Sequence, residues 1–248
     1  MPTVLLVRHG RTTANASGTL AGWTPGIGLD DVGRAQAQTL AGRLAAVPLA
    51  AVVTSPLQRC RETVAELVGV PGPQGAVRPV PLVDDRLGEA RYGDWTGRPL
   101  KELAKEPLWR VVQAHPSAVT FPGEHGESML GMQLRAVEAV REHDAAVARE
   151  HGEDAVWAAV SHGDIIKSLL ADALGMHLDA FQRIVVDPCS VSVVRYTPLR
   201  PFALRVNDTG GDLSGLVPPK RPRRRRSSPR TTPAASSDAV VGGSTGTA

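Results

Sequence analysis

The chain opens with the segment TVLLVRHG, residues 3–10, in which a short apolar run leads directly into arginine, histidine and glycine. An apolar run of this length is typical of a buried β-strand. Arg8 and His9 then lie where the predicted strand ends. Because ligands of open α/β sheets bind beyond the carboxyl ends of the strands, the segment also marks a candidate functional position.

Further segments alternate between strand and helix patterns. Predicted strands cover 51–54, 77–83, 155–160, 191–196 and 202–206, and predicted helices cover 32–47, 57–68, 129–147 and 165–174. Asp30 and Asp31 are expected to cap the first of these helices, and Ser128 the third. Pro79 and Pro81 indicate that strand 77–83 lies at a sheet edge. The alternation predicts an α/β fold with a largely parallel sheet covered by helices on both faces.

Charge divides the chain into two parts. The 248 residues carry 28 Lys and Arg against 25 Asp and Glu, a net charge of +3. From Pro218 onward there are seven basic residues and one acidic residue, so the rest of the chain has 21 and 24 and a net charge of −3. Residues 214–248 are rich in Ser, Thr, Gly and Pro and cannot bury enough apolar surface to fold. We predict one domain over 1–213 and a disordered basic tail over 214–248.

The tail contains the run KRPRRRR at residues 220–226. This run is compatible with binding to nucleic acid or an acidic protein, but a charge run of this kind favours a solvated segment that only aids solubility. Two cysteines are too few for a disulfide framework. No apolar segment is long enough to span a membrane. The sequence therefore predicts a cytoplasmic protein without a membrane anchor.

Polar residues follow three of the predicted strands. Arg8 and His9 follow the first, Arg59 lies shortly after the second, and His162 and Gly163 follow the strand at 155–160. Arginine presents a planar fork that matches phosphate oxygens, and a neutral imidazole can attack phosphorus. A glycine at the start of a helix leaves backbone N–H groups for an anion. Each residue alone is more often structural, but their joint placement predicts a phosphoryl-transfer site.

These residues belong to longer motifs in a recognisable order. The motifs are LVRHGRT at 6–12 with Asn15, GW at 22–23 with Leu29, TSPLQRCRET at 54–63, LGEARYGDWTG at 87–97, GES at 126–128 and VSHG at 160–163. Over residues 3–207 the chain resembles the histidine phosphatase superfamily, which includes the cofactor-dependent phosphoglycerate mutases. It is also similar to an actinobacterial branch whose members are labelled phosphomutases. The resemblance implies a three-layer α/β/α sandwich of the phosphoglycerate mutase type with a mostly parallel central sheet.

The resemblance also implies a role for each motif residue. His9 would become phosphohistidine, Glu89 would act as general acid and base, and His162 would complete the catalytic set. The phosphoryl oxygens would be bound by Arg8, Asn15, Arg59 and Gly163. Possible substrate-side residues are Trp23, Arg91, Tyr92 and Lys101. The resemblance implies no metal and no other cofactor, and the implied substrate is a small phosphorylated metabolite.

Three functions remain open at this point. A phosphatase would transfer the phosphoryl group of His9 to water, whereas a phosphomutase would return it to the substrate. Phosphoglycerate mutases carry an adjacent arginine pair for the sugar-acid carboxylate, but residues 107–112 contain a single arginine, Arg110. This departure favours hydrolysis of a phosphomonoester. The third possibility is a module that binds phosphorylated ligands or, through the basic tail, nucleic acid.

Overall fold

The computed structural model describes residues 1–211, so the predicted tail at 214–248 lies outside the described residues. The strands within this range are β1 (Thr3–Arg8), β2 (Leu49–Thr54), β3 (Leu82–Val83), β4 (Val156–Ser161), β5 (Val191–Arg195) and β6 (Phe202–Asp208). The α-helices are α1 (Thr13–Ser17), α2 (Asp31–Leu44), α3 (Gln58–Gly69), α4 (Leu100–Leu103), α5 (Pro107–Ala114), α6 (Met129–His151) and α7 (Gly163–Ala173). Short 3₁₀ turns cover Pro73–Gly75, Asp85–Leu87, Gly93–Trp95, Pro116–Ala118 and Leu178–Arg183.

The strands described form one six-stranded sheet in the order β3-β2-β4-β1-β5-β6. β1, β4, β2 and β3 run parallel, and β5 and β6 add two antiparallel strands at one side. The predicted mostly parallel sheet is therefore confirmed. Because β2, β4 and β1 are neighbours with the same direction, their carboxyl ends meet at one edge of the sheet.

Helices cover both faces of this sheet. Side chains alternate along β1, so Val4 and Leu6 face one side and Leu5 and Val7 face the other. The first face packs against α6 and α7, and the second packs against α2 and α3. All four of these β1 side chains are buried. The result is the predicted three-layer α/β/α sandwich, with the core divided between the two faces.

The predicted helix caps at Asp30 and Ser128 are present, whereas Asp31 is the first residue of α2 and not its cap. Asp30 Oδ1 accepts a hydrogen bond from the Gly33 amide at 2.7 Å, and Ser128 Oγ accepts one from the Gly131 amide at 3.0 Å. Both side chains satisfy an amide that has no partner in the first helical turn. These caps determine where α2 and the 23-residue α6 begin.

The strand predicted over 77–83 is wrong for most of its length. Only Leu82 and Val83 pair with β2, at the edge of the sheet, and Val77 is 96% exposed. Pro79 and Pro81 have no N–H group to donate to a ladder, which limits the pairing to the residues that follow them. Among the described residues, no helix is both long enough and apolar enough to cross a membrane.

Candidate active site

The edge where β1, β4 and β2 end brings the two histidines together. The amide of His9 continues the ladder beyond β1 by donating to the carbonyl of Ser161 at 3.0 Å, and the amide of Ser55 donates to the carbonyl of Val160 at 3.0 Å. The ring centroids of His9 and His162 are 5.2 Å apart. The sheet therefore holds both imidazoles within reach of one small ligand.

The orientation of the His9 ring is set by its own loop. His9 Nδ1 lies 2.7 Å from the carbonyl oxygen of Gly10. A carbonyl only accepts hydrogen bonds, so Nδ1 carries the proton and Nε2 keeps its lone pair. The turn requires glycine, because a Cβ at position 10 would lie 2.5 Å from the carbonyl oxygen of Gly33. Burial, with the nearby cations of Arg59 and Arg8, holds the pKa of His9 well below its usual value, so the ring is neutral at pH 7.

Two buried arginines accompany the histidines. Arg8 Nη1 donates to the carbonyl of Val186 at 2.7 Å, and Arg59 Nη2 donates to the carbonyl of Gly22 at 2.9 Å. The other terminal nitrogen of Arg59, Nη1, is buried and has no hydrogen-bond partner among the described residues. Buried charged donors are rarely left unpaired in native proteins. Arg59 lies on the cavity wall, where an anionic oxygen would satisfy this donor.

His162 and Gly163 lie at the start of α7. His162 is the N-cap residue, and its Nε2 lies 2.7 Å from the hydroxyl oxygen of Ser55. Burial and the positive charge of Arg59 hold the pKa of His162 well below its usual value. Gly163 is the first residue of the helix, where amides have no partner within the helix. Ser55 appeared in a sequence motif without an assigned role, and the structure shows that it orients the His162 ring.

Asn15 reaches the cavity from α1. It forms a capping box with Thr12, whose backbone amide and hydroxyl both donate to Asn15 Oδ1, at 3.1 and 2.9 Å. Since the oxygen of the side-chain amide is used in this way, the nitrogen is the end that remains for a ligand. Asn15 lines the cavity together with His9, Arg59 and Glu89. Four of the residues predicted for phosphoryl transfer therefore share one wall.

Glu89 lies on the same cavity but belongs to a loop. Its side chain is only 3% exposed, and Oε1 accepts a hydrogen bond from the amide of Ala90 at 3.0 Å. Burial raises the pKa of Glu89 to about 7, and the negative charge of Asp164 adds to the rise. The carboxyl group therefore exists in both protonation states near neutral pH. A group of this kind can donate a proton and later accept one.

Arg135 on α6 holds the Glu89 loop in place. Its Nη1 donates to the carbonyls of Arg86 and Gly88 at 2.6 and 2.9 Å, and its Nη2 donates to the carbonyl of Glu89 at 3.1 Å. The same guanidinium pairs with Glu127 at 2.6 Å. Arg135 was not predicted as a site residue, because nothing in the local pattern of α6 distinguishes it from a solvated helix charge.

The four predicted substrate-side residues have different positions. The indole of Trp23 donates to the carbonyl of Glu89 at 2.6 Å, and the exposed Arg91 stacks on the Trp23 ring at 4.0 Å. Tyr92 lines the cavity but is buried in the core. Lys101 is exposed. Trp23, Arg91 and Lys101 are not part of the cavity wall, and the contacts of Trp23 are those of a residue that supports the loop.

A buried ion pair lies next to Glu89. Asp164 Oδ2 accepts a hydrogen bond from the Tyr92 hydroxyl at 2.8 Å, and Asp164 Oδ1 is 3.5 Å from Lys167 Nζ. Both charged side chains are at most 3% exposed. The sequence did not lead us to predict Asp164 and Lys167 near the site. An Asp and a Lys three residues apart in the otherwise apolar helix α7 are nevertheless a pattern that indicates a buried ion pair.

The cavity has a second, chemically different wall. It is formed by residues 18–22 and Leu100. Backbone hydrogen bonds join the amide of Leu20 to the carbonyl of Arg98, the amide of Gly97 to the carbonyl of Leu20, and the amide of Leu100 to the carbonyl of Gly18. We call residues 18–22 together with 97–100 the clip. The cavity volume is about 30 Å³, room for a group of a few atoms.

Among residues 1–211, no group of three His, Cys, Asp or Glu side chains is placed to hold a metal ion. Of the residues predicted for phosphoryl transfer, four border the cavity, His9, Asn15, Arg59 and Glu89, whereas Arg8, His162 and Gly163 are not part of its wall. Chemically, such a set can bind one anionic group, attack it with an imidazole nitrogen and exchange a proton through a carboxyl group.

Known proteins resemble this chain in sequence and in fold. A family model described as histidine phosphatase superfamily (branch 1) matches residues 4–209. The chain is 31% identical over 196 residues to the Yersinia enterocolitica protein named probable phosphoglycerate mutase GpmB, covering 78% of this chain and 84% of that one. It is 31% identical over 182 residues to the Mycolicibacterium vanbaalenii protein named glucosyl-3-phosphoglycerate phosphatase, covering 71% of this chain and 76% of that one. The solved structure of Bacillus stearothermophilus YhfR superposes with a TM-score of 0.70 and 28% identity over 84% of this chain and 98% of that one. The two curated relatives are named as a mutase and a phosphatase of phosphorylated metabolites. Because the family model covers most of the chain, the chain belongs to the histidine phosphatase superfamily.

Proposed function

We propose that residues 1–213 form one catalytic domain that hydrolyses a small phosphomonoester through a phosphohistidine on His9. The observation that carries this proposal is the composition of a single cavity wall. A neutral imidazole with a free Nε2, an unpaired guanidinium nitrogen of Arg59 and a carboxyl group with a pKa of about 7 all border the same space. These are the nucleophile, the anion-binding group and the proton carrier that phosphoryl transfer needs.

In the first step, Nε2 of His9 attacks the phosphorus and the bond from phosphorus to the ester oxygen breaks. The protonated carboxyl of Glu89 donates its proton to that oxygen, and the alcohol leaves. The products are phosphohistidine and the Glu89 carboxylate. Arg59, Arg8, His162, Asn15 and the Gly163 amide stabilise the charge that spreads over the phosphoryl oxygens in the transition state.

In the second step, a water molecule replaces the alcohol. The Glu89 carboxylate takes a proton from the water, whose oxygen attacks phosphorus as the bond to Nε2 breaks. Inorganic phosphate leaves, His9 returns to its neutral form and Glu89 is protonated again. The hydrogen bond from Nδ1 to Gly10 keeps the ring in the same orientation through both steps.

A mutase is the second candidate, favoured by the name of the Yersinia enterocolitica relative. It would use the same phosphohistidine and return the phosphoryl group to a bound intermediate. The single arginine of α5, Arg110, is exposed and does not line the cavity, so the arginine pair expected for a phosphoglycerate mutase has no counterpart there. This departure is why we favour the hydrolase.

The test is release of inorganic phosphate from a panel of phosphomonoesters in the presence of a chelator. The panel includes an aryl phosphate, alkyl phosphates and phosphoglycerates. We expect release by the wild type, loss of release in His9→Ala, and unchanged release in the control His151→Ala, which alters an exposed histidine at the end of α6.

Trapping of radiolabelled phosphate on the protein separates the candidates. Release that depends on His9 supports the hydrolase. Label on His9 without release favours the mutase, and neither label nor release with any substrate would overturn both proposals.

A further inference from the structure

The clip side of the cavity carries no charge. Its wall is formed by residues 18–22 and Leu100, which are small, apolar or hydroxyl-bearing. Within the described residues, Arg59 is the one lysine or arginine on the cavity wall. Its side chain is already committed to the Gly22 carbonyl and, in the proposed reaction, to the phosphoryl group. A leaving group lying against the clip therefore meets no cation.

From this wall we infer that the leaving group accepted next to the phosphate is uncharged, and that the enzyme discriminates against phosphomonoesters with a carboxylate on the adjoining carbons. The inference rests on the proposed hydrolase function, since it names the substrate class of that same site. It concerns the alcohol part of the substrate, which the phosphoryl-binding residues do not select.

The nearby cations do not change this conclusion. Arg11 is paired with Asp30 at 2.8 Å, and Arg135 is bound to carbonyls of the Glu89 loop and to Glu127. Arg91 stacks on Trp23 outside the wall, and Lys101 is exposed outside it. Arg98, a cation of the clip itself, is paired with Glu106 at 2.7 Å. None of these side chains borders the cavity.

An anionic leaving group would find a carboxyl group and no free cation beside it. Glu89 borders the same space and is the proton donor of the proposed first step. A second substrate anion there has no cationic partner to offset its loss of hydration. A hydroxyl or alkyl group does not carry this penalty.

Most backbone amides of the clip are already paired. The amides of Leu20 and Leu100 donate to carbonyls within the clip, and the amide of Thr19 donates to the carbonyl of Ala14. The hydroxyl of Thr19 is 2.9 Å from that of Ser17. The side chains that the clip brings to the cavity, those of Thr19, Leu20, Ala21 and Leu100, are uncharged, which favours contact with a neutral group.

The first experiment compares three substrates with one carbon skeleton. Propyl phosphate, glycerol 3-phosphate and 3-phosphoglycerate all carry the phosphate on a terminal carbon of a three-carbon chain, and only the last carries a carboxylate. We expect kcat/KM of the wild type to be at least about tenfold lower for 3-phosphoglycerate than for glycerol 3-phosphate, as for loss of one charged hydrogen-bond partner.

The second experiment adds the missing cation. Leu100→Arg should raise kcat/KM for 3-phosphoglycerate relative to glycerol 3-phosphate by about tenfold. Leu134→Arg places the same side chain on an exposed position of α6 and should leave the ratio unchanged. Thr19→Arg, at a half-buried position of the clip, provides a second variant in case Leu100→Arg does not fold.

The outcomes separate the two proposals. Equal or faster hydrolysis of 3-phosphoglycerate by the wild type would overturn the inference while leaving the hydrolase intact. An equal gain in Leu134→Arg would also overturn it, because the effect would then come from net charge. No release from any of the three substrates or from an aryl phosphate would refute the hydrolase itself. Preference for the two substrates with an uncharged alcohol, lost in Leu100→Arg, supports the inference.

Discussion

The wall that carries the predicted catalytic groups has two parts, a phosphoryl side and a loop side, and they are built by different means. The ladder bonds from His9 to Ser161 and from Ser55 to Val160 continue the sheet, and Arg59 and His162 lie at the starts of α3 and α7. Glu89 lies in a loop without a ladder, which Arg135 and Trp23 hold by its carbonyl groups. The phosphoryl side is therefore held by the sheet and the helices that follow its strands, whereas the loop side depends on a few side chains from distant parts of the chain.

The largest expected effect tests the phosphoryl side. Arg59→Met removes the unpaired buried donor, and we expect kcat/KM to fall by about 10²- to 10³-fold, as for loss of one preorganised oxyanion donor. The fall should be similar for aryl and alkyl phosphates, because both pass their charge to the same oxygens. Steady-state phosphate release measures it.

Arg61→Met is the matched control for this change, since Arg61 is an exposed neighbour on α3. Its kinetics should resemble the wild type. A loss confined to alkyl phosphates in Arg59→Met would contradict the assignment of Arg59 to the phosphoryl oxygens.

The next effect tests the loop side. Glu89→Gln should lower kcat/KM for an alkyl phosphate by about 10²-fold, because the alkoxide then leaves without a proton. An aryl phosphate should be much less affected, since a phenolate is a good leaving group. kcat/KM is the suitable quantity because it reports the first irreversible step, transfer to His9.

Glu102→Gln changes an exposed carboxylate on α4 and serves as the control. If Glu89→Gln slowed both substrate classes equally, Glu89 would not be the group that protonates the leaving oxygen, and the phosphoryl side and the loop side would not divide the chemistry.

A smaller effect tests how the loop is held. Arg135→Met removes donors from three loop carbonyls, and we expect a loss of about 1–3 kcal/mol in the free energy of unfolding. The activity toward alkyl phosphates should fall by about tenfold through a displaced Glu89. Denaturant unfolding and kinetics on one protein preparation measure both quantities. Arg141→Met, at an exposed position on the same helix, should change neither by a comparable amount. Loss of stability with full activity would show that the loop positions Glu89 without Arg135.

The smallest expected effect is a displacement of the pH profile. Asp164 raises the pKa of Glu89, so Asp164→Asn should lower that pKa. Glu89 would then lose its proton at a lower pH, and the alkaline limb of kcat/KM for an alkyl phosphate would move toward lower pH. Asp172→Asn, farther along the same helix, is the control. An alkaline limb that stays in place or moves upward would show that Asp164 does not act on the proton carrier.

The same division explains how much of the site could be predicted. The strand ends were accessible because an apolar run followed by Arg8 and His9 is a local pattern, and the sheet topology then brings such ends together. Glu89 was assigned by resemblance alone, since a loop carboxylate has no periodicity that distinguishes it from its neighbours. The role of Arg135 could not be predicted, because it depends on contact between α6 and the Glu89 loop, which is 46 residues earlier in the chain.

The fold was predicted in outline for a related reason. The starts of α2 and α6 could be predicted, because each has an apolar face and a capping residue, Asp30 or Ser128, that is visible in the sequence. The segment 77–83 has the apolar, β-branched composition of a strand, but pairing depends on available N–H groups and on a neighbouring edge. Only Leu82 and Val83 meet both conditions.

The clip has a consequence for how this enzyme can change its substrate. Its two segments pair with each other at Thr19 and Pro99 and contribute no strand to the central sheet. Exchange or extension of residues 18–21 and 97–100 would therefore leave the six strands, the histidine pair and the bond from Arg59 to the Gly22 carbonyl untouched. Changes in the clip can therefore alter which alcohol the substrate carries, in engineered variants or in evolution. The residues that act on phosphorus need not change with them.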